Sequence, residues 1–99
     1  MRAYSSLREI VRGTGALLVE ERLNSEAFGS AYAIFSGRGP RFRLVWDGKE
    51  GYGLLQAEAP AGEWTDQGPL VREHSGGSFS DMPSFLATAE RLVAGAEKT

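Results

Sequence analysis

Residues 41–58 read Arg41-Phe42-Arg43-Leu44-Val45-Trp46-Asp47-Gly48-Lys49-Glu50-Gly51-Tyr52-Gly53-Leu54-Leu55-Gln56-Ala57-Glu58, two strand-forming runs joined by a short, charged, glycine-bounded break. In the first run Phe42, Leu44 and Trp46 alternate with Arg43, Val45 and Asp47. This is the two-residue period of a strand whose faces meet different surroundings. A break of this length, opening on Asp-Gly, suits a hairpin and is far too short for the crossover that parallel strands require.

The same pattern extends outward in both directions. Strand-like runs near 16–23 and 28–36 precede this pair, separated by Asn24-Ser25-Glu26 and Ser36-Gly37-Arg38-Gly39-Pro40. Each break is rich in turn formers, so neighbouring runs are expected to pair as hairpins. Residues 59–80 are looser, with a short fifth strand expected around Leu70-Val71-Arg72. Two helices flank the strands. Ser6-Leu7-Arg8-Glu9 fits a capping box, and Leu7, Ile10 and Val11 share one face before Gly13-Thr14-Gly15 ends the helix. Met82, Phe85, Leu86, Ala89, Leu92, Val93 and Ala96 then follow helical spacing, with Ser80 or Asp81 as the expected N-cap and Pro83 in the first turn. The expected fold is α+β. One domain over 1–99 holds a four- to five-stranded antiparallel β-meander, with a short N-terminal helix and a longer C-terminal helix packed on one sheet face.

Even-numbered hairpin loops preserve pairing parity, which sorts the two faces. Phe42, Leu44 and Trp46 then lie beside Ala31, Ala33 and Phe35 on one flank and Gly53, Leu55 and Ala57 on the other. This is the face for the helices, and Leu17, Val19 and Leu23 extend it if the first hairpin agrees. Odd-numbered loops would exchange the faces. The opposite face carries Tyr32, Ile34, Arg43, Val45, Tyr52, Leu54 and Gln56, with Arg41 and Asp47 at its ends. A solvated sheet face is ordinarily polar. Aromatic and aliphatic residues around an arginine instead match the composition of interface cores. Tyr32, Ile34, Arg41, Arg43, Val45, Asp47, Tyr52 and Leu54 are therefore the candidate partner-binding residues. The same face could instead be covered by residues 59–80 with Trp64, or pair with a second copy as a homodimer.

Composition limits the chemistry. The 99 residues include ten aromatics and no cysteine, and the net charge is −2. Without cysteine there are no disulfides, thiolate nucleophiles, Cys-ligated zinc sites or iron–sulfur clusters. Unstapled domains of this size belong more often to the cytoplasm than to secreted proteins, and cytoplasmic localisation is expected. The N-terminal residues lack the apolar core of a signal peptide, and no run is long enough to span a bilayer. Residues 1–50 carry 8 basic and 6 acidic side chains, against 3 and 7 in residues 51–99. That balance favours neither nucleic acid nor membrane as a partner.

Motifs for catalysis are weak. His74-Ser75-Gly76-Gly77-Ser78-Phe79-Ser80-Asp81 gathers His, Ser and Asp, but a triad is assembled by a scaffold, not by adjacency. A glycine-serine loop leading into a helix cap explains it. Glu20-Glu21 would point to opposite faces of a strand, and no carboxylate pair has metal-ligand spacing, so no metal or cofactor is expected. Gly13-Thr14-Gly15 lacks the third glycine and the strand-helix context of a dinucleotide fingerprint. The basic tip Ser36–Arg43 could grip phosphate, but a solvated hairpin with positive gatekeepers is the usual explanation for such a cluster. Trp46 either caps the core or stands at an exposed recognition tip.

Phe28-Gly29-Ser30-Ala31-Tyr32 and Leu44-Val45-Trp46-Asp47-Gly48-Lys49-Glu50-Gly51 loosely resemble segments of small bacterial proteins of unknown function. Some of those are similar to the immunity proteins of polymorphic toxin systems. The resemblance covers roughly residues 15–58 and carries over no site residues. It implies a cytoplasmic, non-enzymatic protein that masks a cognate toxin. The expected function is thus a non-enzymatic protein-binding module. The alternatives are a structural homodimer, or a small-molecule-binding domain or cofactor-free enzyme with a pocket between the sheet and residues 59–80, lined by Trp64, Tyr52 and Asp66.

Overall fold

The computed structural model describes residues 2–24, 26, 29–74 and 77–95. Ser25, Phe28, Ser75, Gly76 and Ala96, placed above in a turn, a strand, a loop and a helix, lie outside the described residues. The chain runs α1 (Arg2–Arg12), β1 (Leu17–Asn24), β2 (Ser30–Ser36), β3 (Phe42–Asp47), β4 (Tyr52–Glu58), β5 (Trp64–Arg72) and α2 (Met82–Ala94). The five strands form one antiparallel sheet in sequence order. Both helices lie on one face of this α+β meander, and no helix among the described residues is long and apolar enough to cross a membrane.

The central register follows the alternation. Phe35, Ala33 and Ala31 pair with Phe42, Leu44 and Trp46, which pair in turn with Ala57, Leu55 and Gly53. Phe35 and Phe42 stack with ring centres 5.6 Å apart. Large side chains beside small ones leave room for Leu7 and Val11 of α1 and for Phe85, Ala89 and Leu92 of α2 in the same cluster. Trp46 is buried there, so it belongs to the core and not to a recognition tip.

Three local expectations are corrected. Helix α1 begins at Arg2, so Ser6 sits inside it and the capping box is not formed. The reason is tertiary: Ala3 and Tyr4 join Leu7 and Val11 on the buried stripe, and that burial outweighs one cap. In β1 the register slips between Leu18 and Glu20. Leu18 therefore faces Phe35, while Leu17 is opposite Ser36 on the other face; Leu23 keeps the expected face opposite Ala31, and Leu17, Val19 and Leu23 are all exposed on this edge strand. The fifth strand is also far longer than 70–72. Gly53 pairs with Val71 and Leu55 with Gln67, so Gly68-Pro69-Leu70 bulge opposite Leu54. Gly68 has φ +74°, and a Cβ there would meet the Thr88 hydroxyl at 2.6 Å, so the bulge is where α2 approaches the sheet edge. Asp81 is the N-cap of α2 as expected, although its side chain makes no capping bond. Ser80 instead accepts the Arg72 amide at 3.0 Å, tying the start of α2 to the end of β5.

The bulge in β1 also brings Glu21, opposite Ala33, onto the helix side. There it accepts the Tyr4 hydroxyl at 2.5 Å and Arg8 Nη1 at 2.8 Å. Burial, then the bond to Glu21, pushes the Tyr4 phenol well above its ordinary value. Burial alone would raise the Glu21 carboxyl, but its bonds from Tyr4 and Arg8 and the Arg8 charge outweigh this and hold it below the usual range. These shifts bound a stability window. The Glu21 contribution is present above its unfolded pKa of about 4.3 and is lost as pH falls through the lower folded value. The Tyr4 contribution is present below its unfolded pKa of about 10 and is lost as pH rises through the higher folded value. Urea midpoints measured against pH should therefore fall at both ends, and Glu21→Gln should flatten the acid limb.

Candidate protein-binding face

The face turned away from the helices collects residues from all five strands. One row across it is Glu20, Ile34, Arg43, Gln56 and Asp66; the next is Arg22, Tyr32, Val45 and Leu54. Tyr32, Arg43, Val45, Tyr52, Leu54, Gln56 and Trp64 are all half-buried, so their neighbours in the sheet shield them but no layer lies over them among the described residues. Residues 64–72 continue the sheet in its own plane and do not fold across it. Tyr52 lines a concavity on this face whose lining does not include Trp64 or Asp66.

Arg43 is the centre of this face. Its guanidinium carbon lies 4.4 Å from the Trp64 ring centre and 5.8 Å from that of Tyr32. Its Nε donates to Gln56 Oε1 at 2.8 Å, and Gln56 Nε2 donates to Asp66 Oδ1 at 2.8 Å. Two rings and a fixed amide thus hold the fork in place, each ring worth about 0.5–2 kcal/mol. A second pairing repeats the theme near the rim, where Arg72 lies 5.5 Å from the Tyr52 ring centre.

Beside Arg43 is a concavity of about 350 Å³. Tyr32, Arg43, Val45, Asp47 and Tyr52 line it, so five of the eight residues expected from the sequence converge there. Leu54 adjoins it as the cross-strand neighbour of Val45. Ile34 is 6% exposed and acts as floor, beyond direct contact with a partner. Arg41 stands apart at the sheet end, bound twice by Glu58 at 2.8 and 2.9 Å, an exposed pair that lowers the Glu58 carboxyl.

Arg22, Asn24 and Ser30 also line the concavity and were not anticipated. Ser30 was legible as the residue two before Tyr32, and Arg22 as the neighbour of Leu23 with opposite parity. Trp64 was expected at this face only as part of a covering or pocket-lining segment; its place in the sheet itself was not legible, because Gly68-Pro69 interrupts the strand pattern. Among the described residues, no three His, Asp or Glu side chains gather as a metal-binding set, and His74 is exposed in a loop closed by its amide on the Ser78 carbonyl. No family model, curated protein or solved structure matches the chain.

Proposed function

We propose that this chain is a non-enzymatic protein-binding module that docks a partner on the sheet face centred on Arg43, in the manner of an immunity protein masking a toxin. One observation carries this. Half-buried Tyr32, Arg43, Val45, Tyr52, Leu54 and Trp64 form a continuous aromatic and aliphatic field around a pre-placed arginine, on the side without helices. Interface cores favour Tyr, Trp and Arg, because rigid rings and planar forks lose little freedom on binding. The resemblance of residues 15–58 to immunity-like proteins supports a toxin as partner, and a cysteine-free chain suits the cytoplasm.

The test is capture from the native cell by the wild type, compared with Arg43→Ala and Tyr52→Ala. Each substitution should weaken the captured complex by about 1–3 kcal/mol while leaving the thermal midpoint nearly unchanged. Unfolding of both variants would make the face a second core and end the proposal. A concentration-dependent mass in sedimentation, abolished by the same substitutions, would assign the face to a second copy of the chain.

A further inference from the structure

The charges on this face are unevenly satisfied. Its strands carry four carboxylates, and each already has a donor. Glu20 accepts the Tyr32 hydroxyl at 3.0 Å, Asp66 accepts Gln56, and Glu58 is held by Arg41. Asp47 accepts the Lys49 and Glu50 amides at 3.0 and 2.9 Å. Arg22, Arg43 and Arg72 on the same face form no salt bridge among the described residues. With Arg41 counted, the face holds four arginines and four carboxylates, so its charges balance in number, but only Arg41 is paired directly with one of them.

Arg43 is the arginine already built to receive an anion. Its rings and the Gln56 bond restrict its rotamers and occupy Nε, which leaves the two terminal nitrogens as the free edge of the fork. Parallel N–H groups at that edge match the two oxygens of a carboxylate, and a guanidinium gives up its hydration more readily than an ammonium. The concavity beside it brings Arg22 to the same space, with Tyr32, Val45 and Tyr52 as walls and Asp47 at its edge, where one Asp47 oxygen is taken up by the Lys49 and Glu50 amides.

Resting on the docking role above, we infer that the Arg43 fork and Arg22 receive a single aspartate or glutamate side chain of the protein partner, one flanked by apolar residues. A carboxylate fits better than a nucleic-acid backbone. Glu20, Asp47, Glu58 and Asp66 surround the arginines at strand positions on the same face, so a localised charge is attracted and an extended polyanion is repelled. A partner side chain also fits better than a free small acid. Sites for small ligands enclose most of their occupant, whereas this concavity opens on a sheet face of half-exposed side chains.

The experiment pans a phage-displayed random dodecapeptide library on the full chain, then titrates the enriched peptides as synthetic ligands. Peptides with one Asp or Glu beside apolar or aromatic residues should be enriched. Replacing that residue by Asn or Gln, or using Arg43→Gln, should each weaken binding about tenfold or more. Combining the two should cost little beyond either one, because both remove the same contact. Arg43→Lys should recover only part of the loss, since it restores charge without the fork. Peptides that lose affinity in Tyr52→Ala but not in Arg43→Gln would overturn the carboxylate site and leave the docking face standing. Peptides that bind nowhere on this face would overturn both. A single-stranded DNA 20-mer that displaces the peptides and outbinds them would replace the carboxylate with phosphate. Thermal midpoints within a few degrees of wild type are required of each variant, and Arg22→Gln repeats the test if Arg43→Gln does not fold.

Discussion

Tyr4→Ala is expected to remove about 3–5 kcal/mol of stability, the range for deleting a large buried aromatic. The whole domain is held by only about 5–15 kcal/mol, so the variant should sit near its unfolding threshold at room temperature. Tyr4 is fully buried between α1 and the sheet, and its loss leaves a cavity beside Leu7 and Val11. It also deprives Glu21 of one of its two donors, which makes that carboxylate costlier to keep on the helix side. Tyr4→Phe separates the two effects. It retains the ring and should cost about 1–3 kcal/mol, the value of a hydrogen bond to a charged acceptor. Urea unfolding of the two variants checks this ordering. A Tyr4→Ala loss under 1 kcal/mol would mean that α1 does not contribute to the core as its packing indicates.

Gly37→Ala should be the second most damaging change, at about 1–3 kcal/mol from overpacking. The β2–β3 loop does not project into solvent as a basic tip. It lies against the end of α2, where the Arg38 amide donates to the Val93 carbonyl at 2.8 Å. A Cβ at Gly37 would stand 2.7 Å from the Val93 oxygen and 2.9 Å from its Cα. Both obstacles are backbone and cannot rotate aside as a side-chain end can. The loop also supplies a donor to the last turn of α2, where carbonyls otherwise lack partners. Arg38→Ala is the control. It keeps the same backbone bond and removes only an exposed side chain, so it should remain within about 0.5 kcal/mol of wild type. A thermal or chemical midpoint lowered by Arg38→Ala and not by Gly37→Ala would give the loop's role to charge.

The contrast between these positions explains how far the sequence is legible. Phe42, Leu44 and Trp46 announce their face, because alternation is local and the break at residues 48–51 leaves no other pairing. The stripe from Met82 to Val93 is legible for the same reason at a helical period. Ser6 misled because a capping signature is weaker than the burial of Ala3 and Tyr4, and that burial depends on a strand well away in the chain. Leu17 misled because a single extra residue in β1, at Val19, breaks strict alternation and no local signal marks it, whereas Leu23 keeps its expected side opposite Ala31 and is exposed only because its strand is an edge. The place of Trp64 in the sheet stayed hidden behind Gly68-Pro69, which ordinarily argues against a strand but here forms the bulge beneath Thr88.

By itself, then, the sequence determined the antiparallel order of the central strands, the identity of their two faces and the residues Tyr32, Arg43, Val45 and Tyr52 on the helix-free side. Short turns and a two-residue period settle these through neighbours in the chain. Only the tertiary structure decided that Arg43 lies between Tyr32 and Trp64, that Gln56 and Asp66 hold its Nε side, and that Arg22 joins it at the concavity. Those side chains come from five different strands, and their meeting depends on cumulative register, including two bulges. Register across a whole sheet is set by how its strands pack together, which no stretch of residues encodes alone.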